Sequence, residues 1–199
     1  PNGKKISIML EEINYTYKVT KINIYKDEQF SPEFKKLSPF SKIPVIIDHD
    51  NKQSLFESGA ILIYLGEKSG KFYNKPQRTL INQWLMGQMA YVGPMLGQHH
   101  QFHHYNPGKS KFGEDRYFKI AKRIYVELNA RLSFNKFLAG EDYTIADIAT
   151  FPWIARHEWH DIGLKKFENL SRWYTEISSR PAVKKGYDLM KKGEEIPKI

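Results

Sequence analysis

Hydrophobic positions divide the chain in two: an early part where helical and alternating spacings take turns, and a longer remainder with helical spacing only. Ile6, Ile8, Met9, Leu10 and Ile13 follow Pro1-Asn2-Gly3 at helical spacing and predict a first helix, with Asn2 available as its N-cap. Val19, Ile22 and Ile24 alternate within Tyr17–Ile24, which predicts a strand. Ser31-Pro32-Glu33 predicts a short helix, with serine as cap and proline at its first position. Ile43-Pro44 opens an apolar run to Asp48 that reads as a buried strand. Proline has no N–H to give to a ladder, so it begins such a strand or lies at its edge. The turn His49–Lys52, a second strand at Leu55-Phe56 and a helix over Glu57–Lys68 complete an α-β-α-β-β-α order.

Residues 71–76, with Gly, Lys and Pro around them, read as a link between domains 1–70 and 77–199. Beyond the link, Leu80, Trp84, Leu85, Met89, Val92 and Leu96 fit one long helix with a kink at Gly93-Pro94. Tyr117–Phe134 carries Ile120, Ile124, Leu128 and Leu132 at helical spacing, and Thr144-Ile-Ala-Asp147 has capping-box chemistry ahead of Ile148 and Phe151. Leu170, Trp173, Tyr174 and Ile177 mark a further helix, Arg180-Pro181 interrupts it, and Val183–Met190 forms the last. The reading is therefore α/β followed by an all-α bundle. Trp84, Tyr91 and Trp153 read as bundle core.

The junction at residues 55–61 carries the most chemistry. A strand running into a helix through Glu57-Ser58-Gly59 sets free backbone N–H groups and a hydroxyl at a helix N-terminus, which is an anion site. The Glu57 carboxylate beside it suits an ammonium. An X-Pro bond at Ile43-Pro44 is open to the cis form, which turns the peptide groups of Ile43 outward, where an extended peptide can pair with them. The Ile43 side chain itself reads as core. A carboxylate site, an ammonium site and a free backbone edge together suit a γ-glutamyl peptide.

Composition narrows the chemistry. The chain has 199 residues and no cysteine, so disulfide frameworks, thiolate metal sites and Cys-x-x-Cys redox pairs are excluded, and any thiol must arrive with a ligand. No stretch approaches the ~18 apolar residues of a membrane-spanning helix. The net charge of +9 comes from lysines scattered mostly in pairs, such as Lys4-Lys5 and Lys35-Lys36, which read as solvated helix faces. No clustered basic face with aromatic platforms points to nucleic acid. His99, His100, His103 and His104 form two i,i+4 pairs, yet no carboxylate or cysteine adjoins them to complete a metal site. A metal is therefore the weaker reading, and a family resemblance, carried by residues elsewhere in the chain, implies pocket lining or an interface instead.

Lys42-Ile43-Pro44-Val45-Ile46, a hairpin and Glu57-Ser58-Gly59-Ala60-Ile61 resemble the glutathione site of the glutathione transferases. Gly93–Gln98, the Thr144–Asp147 cap and Arg180-Pro181-Ala182-Val183 are similar to the helical domain of the same family. Asn2-Gly3, Glu11-Glu12 and Gln29–Phe34 narrow the likeness to the bacterial nu class, which includes disulfide-bond reductases. The resemblance covers the whole chain. It implies a thioredoxin-like domain and a helical bundle, a cytoplasmic homodimer, glutathione as co-substrate without a metal, and a small electrophile or disulfide as the second substrate. A thioredoxin-like domain has one more strand before the first helix, and the nu class has a Thr before Pro-Asn. Both are expected to precede Pro1.

The resemblance also assigns residues. Ser58 serves the γ-glutamyl carboxylate, Glu57 the ammonium, and Ile43 with Pro44 the cysteinyl backbone; Lys42 and Gln29 hold the glycyl carboxylate. Asn2 donates to the sulfur, in competition with its reading as a cap. Arg116 stands near the sulfur or a second glutathione, in competition with a surface i,i+4 partner. The expected activity is glutathione-dependent transfer or disulfide reduction. The alternative is a non-catalytic interaction module on the same fold.

Overall fold

The computed structural model describes residues 1–199. Helix α1 (Asn2–Ile13) buries Ile6, Ile8, Met9 and Ile13. It stops in a Schellman motif: Asn14 takes the left-handed conformation (φ 59°), Asn14 N–H donates to the Glu11 carbonyl, and Tyr15 N–H donates to that of Leu10. Pro1, not Asn2, is the capping residue, and no side chain caps this end; Asn2 is already helical.

The strand expected over Tyr17–Ile24 does not form. The sheet has two strands, β1 (Val45–Asp48) and β2 (Gln53–Phe56), antiparallel with Val45 opposite Phe56. Segment 15–23 pairs with neither. Val19 and Ile24 are exposed, and the segment ends in a single 3₁₀ turn, Ile24–Lys26. Alternation marks a ribbon with two faces, but a ribbon becomes a strand only beside a partner that takes its hydrogen bonds.

Helix α2 (Pro32–Leu37) begins as expected, with Ser31 Oγ accepting from Phe34 N–H and proline at its start. After the hairpin, α3 (Ser58–Ser69) ends at Gly70, whose φ of 68° suits a residue without Cβ.

The bundle is helical throughout. In place of one kinked helix stands a rod: α4 (Arg78–Gly87), a π turn (Gln88–Val92), α5 (Gly93–His99) and a second π turn (His100–Tyr105). Pro94 cannot donate to the preceding turn, and the widened turn just before it absorbs the missing bond. Helix α6 (Lys111–Ser133) starts earlier than its apolar stripe, because Ser110 caps it through Gly113 N–H. Helices α7 (Ile145–Ile154), α8 (His157–His160), α9 (Glu168–Ser179) and α10 (Pro181–Tyr187) follow.

Every residue of α7 is buried. Its start is the expected capping box, with Thr144 as cap, and Asp147 gathers four donors. These are Leu138 N–H (2.9 Å), the Trp173 indole N–H (2.9 Å), Thr144 N–H (3.0 Å) and the Thr144 hydroxyl (3.1 Å). One carboxylate thus ties α7, α9 and the loop before α7 together.

The two halves meet along α1. At Gly186 of α10 an added Cβ would lie 2.5 Å from the Ile8 Cα, so only glycine allows the two helices to approach this closely. Ser7 Oγ donates to the Gly186 carbonyl at the same crossing. Arg180 holds Glu12 through two bonds (2.6 and 2.8 Å), and Lys185 pairs with Glu11 (2.6 Å). The Glu11-Glu12 pair is therefore an inter-domain latch.

The histidine cluster is largely core. His99 and His100 are buried; His99 Nε2–H donates to the His160 carbonyl (2.9 Å), and His100 stacks on His160 at 4.9 Å. His160 Nδ1 meets the Tyr125 hydroxyl at 2.6 Å. His103 stacks on His99, and the exposed His104 lies flat on Trp159 at 4.1 Å. The reading as pocket lining or interface is thus corrected for His99 and His100. No three His, Asp or Glu side chains converge as a metal site would require.

Two measurements follow from this packing. Asp147→Ala leaves four donors without their acceptor, three of them backbone or indole N–H groups in the core. It is expected to cost about 3 kcal/mol in urea-induced unfolding. Burial, aided by nearby positive groups, pushes His100 down from 6.5 to about 3 and His160 well below its ordinary value. An unfolded chain binds protons at these rings below about pH 6.5 while the folded one does not, so stability is full above that pH and falls toward pH 3. The thermal midpoint is expected to drop from pH 7 to 4, and His100→Gln to flatten that drop.

Candidate functional site

The hairpin delivers the chain to α3 through Glu57, whose φ of 68° and ψ of 112° lie outside the regions a residue with a side chain favours. Backbone held in such a state costs roughly 1–3 kcal/mol and is kept where surrounding structure demands it. The first helical hydrogen bond of α3 is Ile61 N–H to the Glu57 carbonyl, so the N–H groups of Ser58, Gly59 and Ala60 have no backbone acceptor. Ser58 is buried, whereas the Glu57 carboxylate is exposed and forms neither an ion pair nor a hydrogen bond within the chain. Three oriented N–H groups, a hydroxyl and an unpaired carboxylate thus occupy one corner.

The Ile43-Pro44 bond is cis, and neither the N–H nor the carbonyl of Ile43 is hydrogen-bonded within the chain. The Ile43 side chain is not core, as expected from sequence, but 41% exposed. The loop before it is pinned by Ser38, whose buried hydroxyl donates to the Lys42 carbonyl (2.9 Å) and accepts from Lys42 N–H (3.0 Å). The Lys42 side chain is exposed and has no partner. Gln29 is buried in a 3₁₀ turn, with Nε2 donating to the Ile24 carbonyl (3.4 Å) and Oε1 left without a donor.

Asn2 lies at the start of α1, where the Trp153 indole N–H donates to its Oδ1 at 3.2 Å. An indole nitrogen only donates, so the contact fixes the amide: its oxygen faces Trp153 and its NH₂ faces the other way. Trp153 in turn stacks on His100, with ring centres 6.0 Å apart. Arg116 stands in the second turn of α6 on an exposed face, 6.0 Å from the Tyr117 ring and without an ion pair. It is not an i,i+4 ion-pair partner; that pairing belongs to Lys111 and Asp115 (2.6 Å). Trp84 packs half-buried against the core, as expected, whereas Tyr91 is exposed; both line a groove of about 210 Å³ with Val92, Arg123 and Leu128.

One participant escapes sequence reasoning. Lys5, paired with Lys4 as a solvated doublet, is only 1% exposed. Its Nζ donates to Gln88 Oε1 (2.6 Å), to Ser58 Oγ (3.2 Å) and toward Met89 Sδ (3.4 Å). Lys4 caps the Tyr187 ring at 3.4 Å and pairs with Glu194. The available signal is periodicity: Lys5 shares the face of α1 that carries Ile8 and Met9, a place where a charge has no solvent.

Residues 1–67 match the family model for the glutathione S-transferase N-terminal domain, and residues 93–181 that for the C-terminal domain. The disulfide-bond oxidoreductase YfcG of Escherichia coli K12 is 43% identical over 190 residues, covering 92% of this chain and 88% of the relative. A glutathione transferase from Burkholderia graminis, solved with two glutathione molecules per subunit, superposes with a TM-score of 0.90 at 39% identity, covering 97% of this chain and 86% of the other. One from Pseudomonas putida, solved with a glutathione disulfide per subunit, gives 0.87 at 42%, covering 95% and 87%. On this evidence the chain belongs to the glutathione S-transferase family.

Proposed function

We propose that the protein is a glutathione-dependent transferase of the disulfide-reductase kind. The observation that carries this reading is the α3 start: free N–H groups, Ser58 and an unpaired Glu57 beside the open backbone of Ile43. A γ-glutamyl head bears a carboxylate and an ammonium on one carbon, so it needs both halves of that corner. The chain has no sulfur nucleophile of its own. Chemistry on a disulfide therefore falls to the sulfur of the bound tripeptide.

A thiol of pKa about 8.5 is mostly protonated at neutral pH, and donors at a helix start shift it toward thiolate. The Asn2 NH₂, turned away from Trp153 and one turn from Lys5, is the proposed donor. The thiolate attacks one sulfur of a disulfide, forming a mixed disulfide and expelling the other half as thiolate, which takes a proton from water. A second glutathione thiolate then attacks the glutathione sulfur of that adduct. It releases the substrate's remaining half as a thiol and leaves glutathione disulfide. An electrophile in place of the disulfide gives a thioether in one step.

Glutathione is proposed to bind on residues 1–70, with its partner substrate under the bundle of residues 77–199. Lys42 is proposed to meet the glycyl carboxylate by charge and Ile43 with Pro44 to present the backbone edge; Gln29 stays as a weaker assignment, since its amide is turned inward, and the exposed, unpaired Arg116 is proposed to serve the sulfur or a second glutathione. The groove at Trp84 and Tyr91, beside the exposed Met86, supports a homodimer that covers it. A cytoplasmic setting, with its millimolar glutathione, suits the reading.

Asn2→Ala is expected to lower turnover of a small dithioethanol disulfide with glutathione at least tenfold while leaving the thermal midpoint nearly unchanged; unaltered turnover removes Asn2 from the mechanism. Ser58→Ala is expected to weaken glutathione binding about tenfold by calorimetry. Light scattering on the eluting protein is expected to give twice the chain mass, 23.4 kDa; a monomer mass rejects the dimer.

A further inference from the structure

Lys5 is a buried cation without a buried anion. Its three N–H directions end on Gln88 Oε1, Ser58 Oγ and Met89 Sδ, all neutral. An ammonium removed from water is costly unless paired, and a lysine in such a place responds by giving up its proton. Burial pushes Lys5 down to about 7, against the opposing pull of Glu57. Glu57 is the ionisable group that faces it from α3; the π turn of residues 88–92 faces it with neutral Gln88 and Met89, and Lys4 on its own helix is engaged by Glu194 and Tyr187.

The missing anion has an obvious place. Ser58 lies between Lys5 and the free N–H groups of α3, where the proposed function seats a carboxylate. We propose that Lys5 is a positioning residue for that carboxylate: binding of the γ-glutamyl group draws a proton from solvent onto Nζ and turns the Ser58 hydroxyl toward the ligand. A neutral amine has a lone pair and can accept the Ser58 proton. An ammonium only donates, so once charged it makes Ser58 Oγ an acceptor and leaves the hydroxyl hydrogen free for the carboxylate. The second effect is charge: one positive group behind a helix start that already favours anions. The proton moves from water to Nζ, and no bond of the ligand is broken. This inference rests on the glutathione reading above.

Calorimetry with S-methylglutathione, which has no thiol proton, tests it. Titrations at pH 8 in phosphate and in Tris, buffers of different ionisation enthalpy, give the protons taken up per ligand bound. Wild type is expected to take up nearly one proton more than Lys5→Met and to bind about tenfold more tightly. At pH 6 Lys5 is already charged in the free protein, so the difference in uptake is expected to vanish. A merely structural lysine would change affinity but not proton uptake. Equal uptake by the two proteins at pH 8 overturns the inference and leaves the glutathione reading intact; no binding to wild type at millimolar ligand removes both. Should Lys5→Met fail to fold, the ¹³Cε shift of Lys5 in wild type reports the same event. Its titration midpoint is expected to rise on saturation, and an unmoved midpoint overturns the inference.

Discussion

The structure depends on α1 lying wedged between its two halves. One flank packs on α3 and the other on α7 and α10, so closely at Gly186 that no side chain fits. Ion pairs from Glu11 and Glu12 to Lys185 and Arg180 lock the same contact at its far end. Because the crossing is tight, the first turns of α1 are held against the start of α3 with little freedom. The corner of Asn2, Lys5 and Ser58 exists only because of that constraint.

What sequence reasoning could reach reflects how local each signal is. The Glu57-Ser58-Gly59 junction was legible because a strand-to-helix turn is written in consecutive residues. The Thr144–Asp147 cap was legible for the same reason, although Asp147's bonds to Leu138 and Trp173 were not. Lys5 was hidden because its acceptors, Ser58 and Gln88, come from elements far along the chain. The Tyr17–Ile24 strand failed because period-two spacing says nothing about whether a neighbour stands beside it. Arg116 was placed by family likeness, since an exposed arginine without an ion pair carries no local signal of what it faces.

The histidines show composition overruled by packing. Four in six residues suggest metal or catalysis, yet the rod turns His99 and His100 inward against His160 and Tyr125. Of the two i,i+4 pairs, His99 and His103 do stack on each other, while His100 turns to His160 and His104 to Trp159. Neutral imidazole serves there as a flat aromatic filler that also satisfies a backbone carbonyl.

The contact between Trp153 and Asn2 carries a consequence for modularity. The amide at the head of the first helix is aimed by an indole that belongs to the other half of the molecule. Excised from the bundle, the first seventy residues would keep Glu57 and Ser58 but lose what orients Asn2. The same cut removes Gln88 and Met89, which hold the Lys5 amine beside Ser58, so the corner formed by the first seventy residues takes its geometry from the rest of the chain.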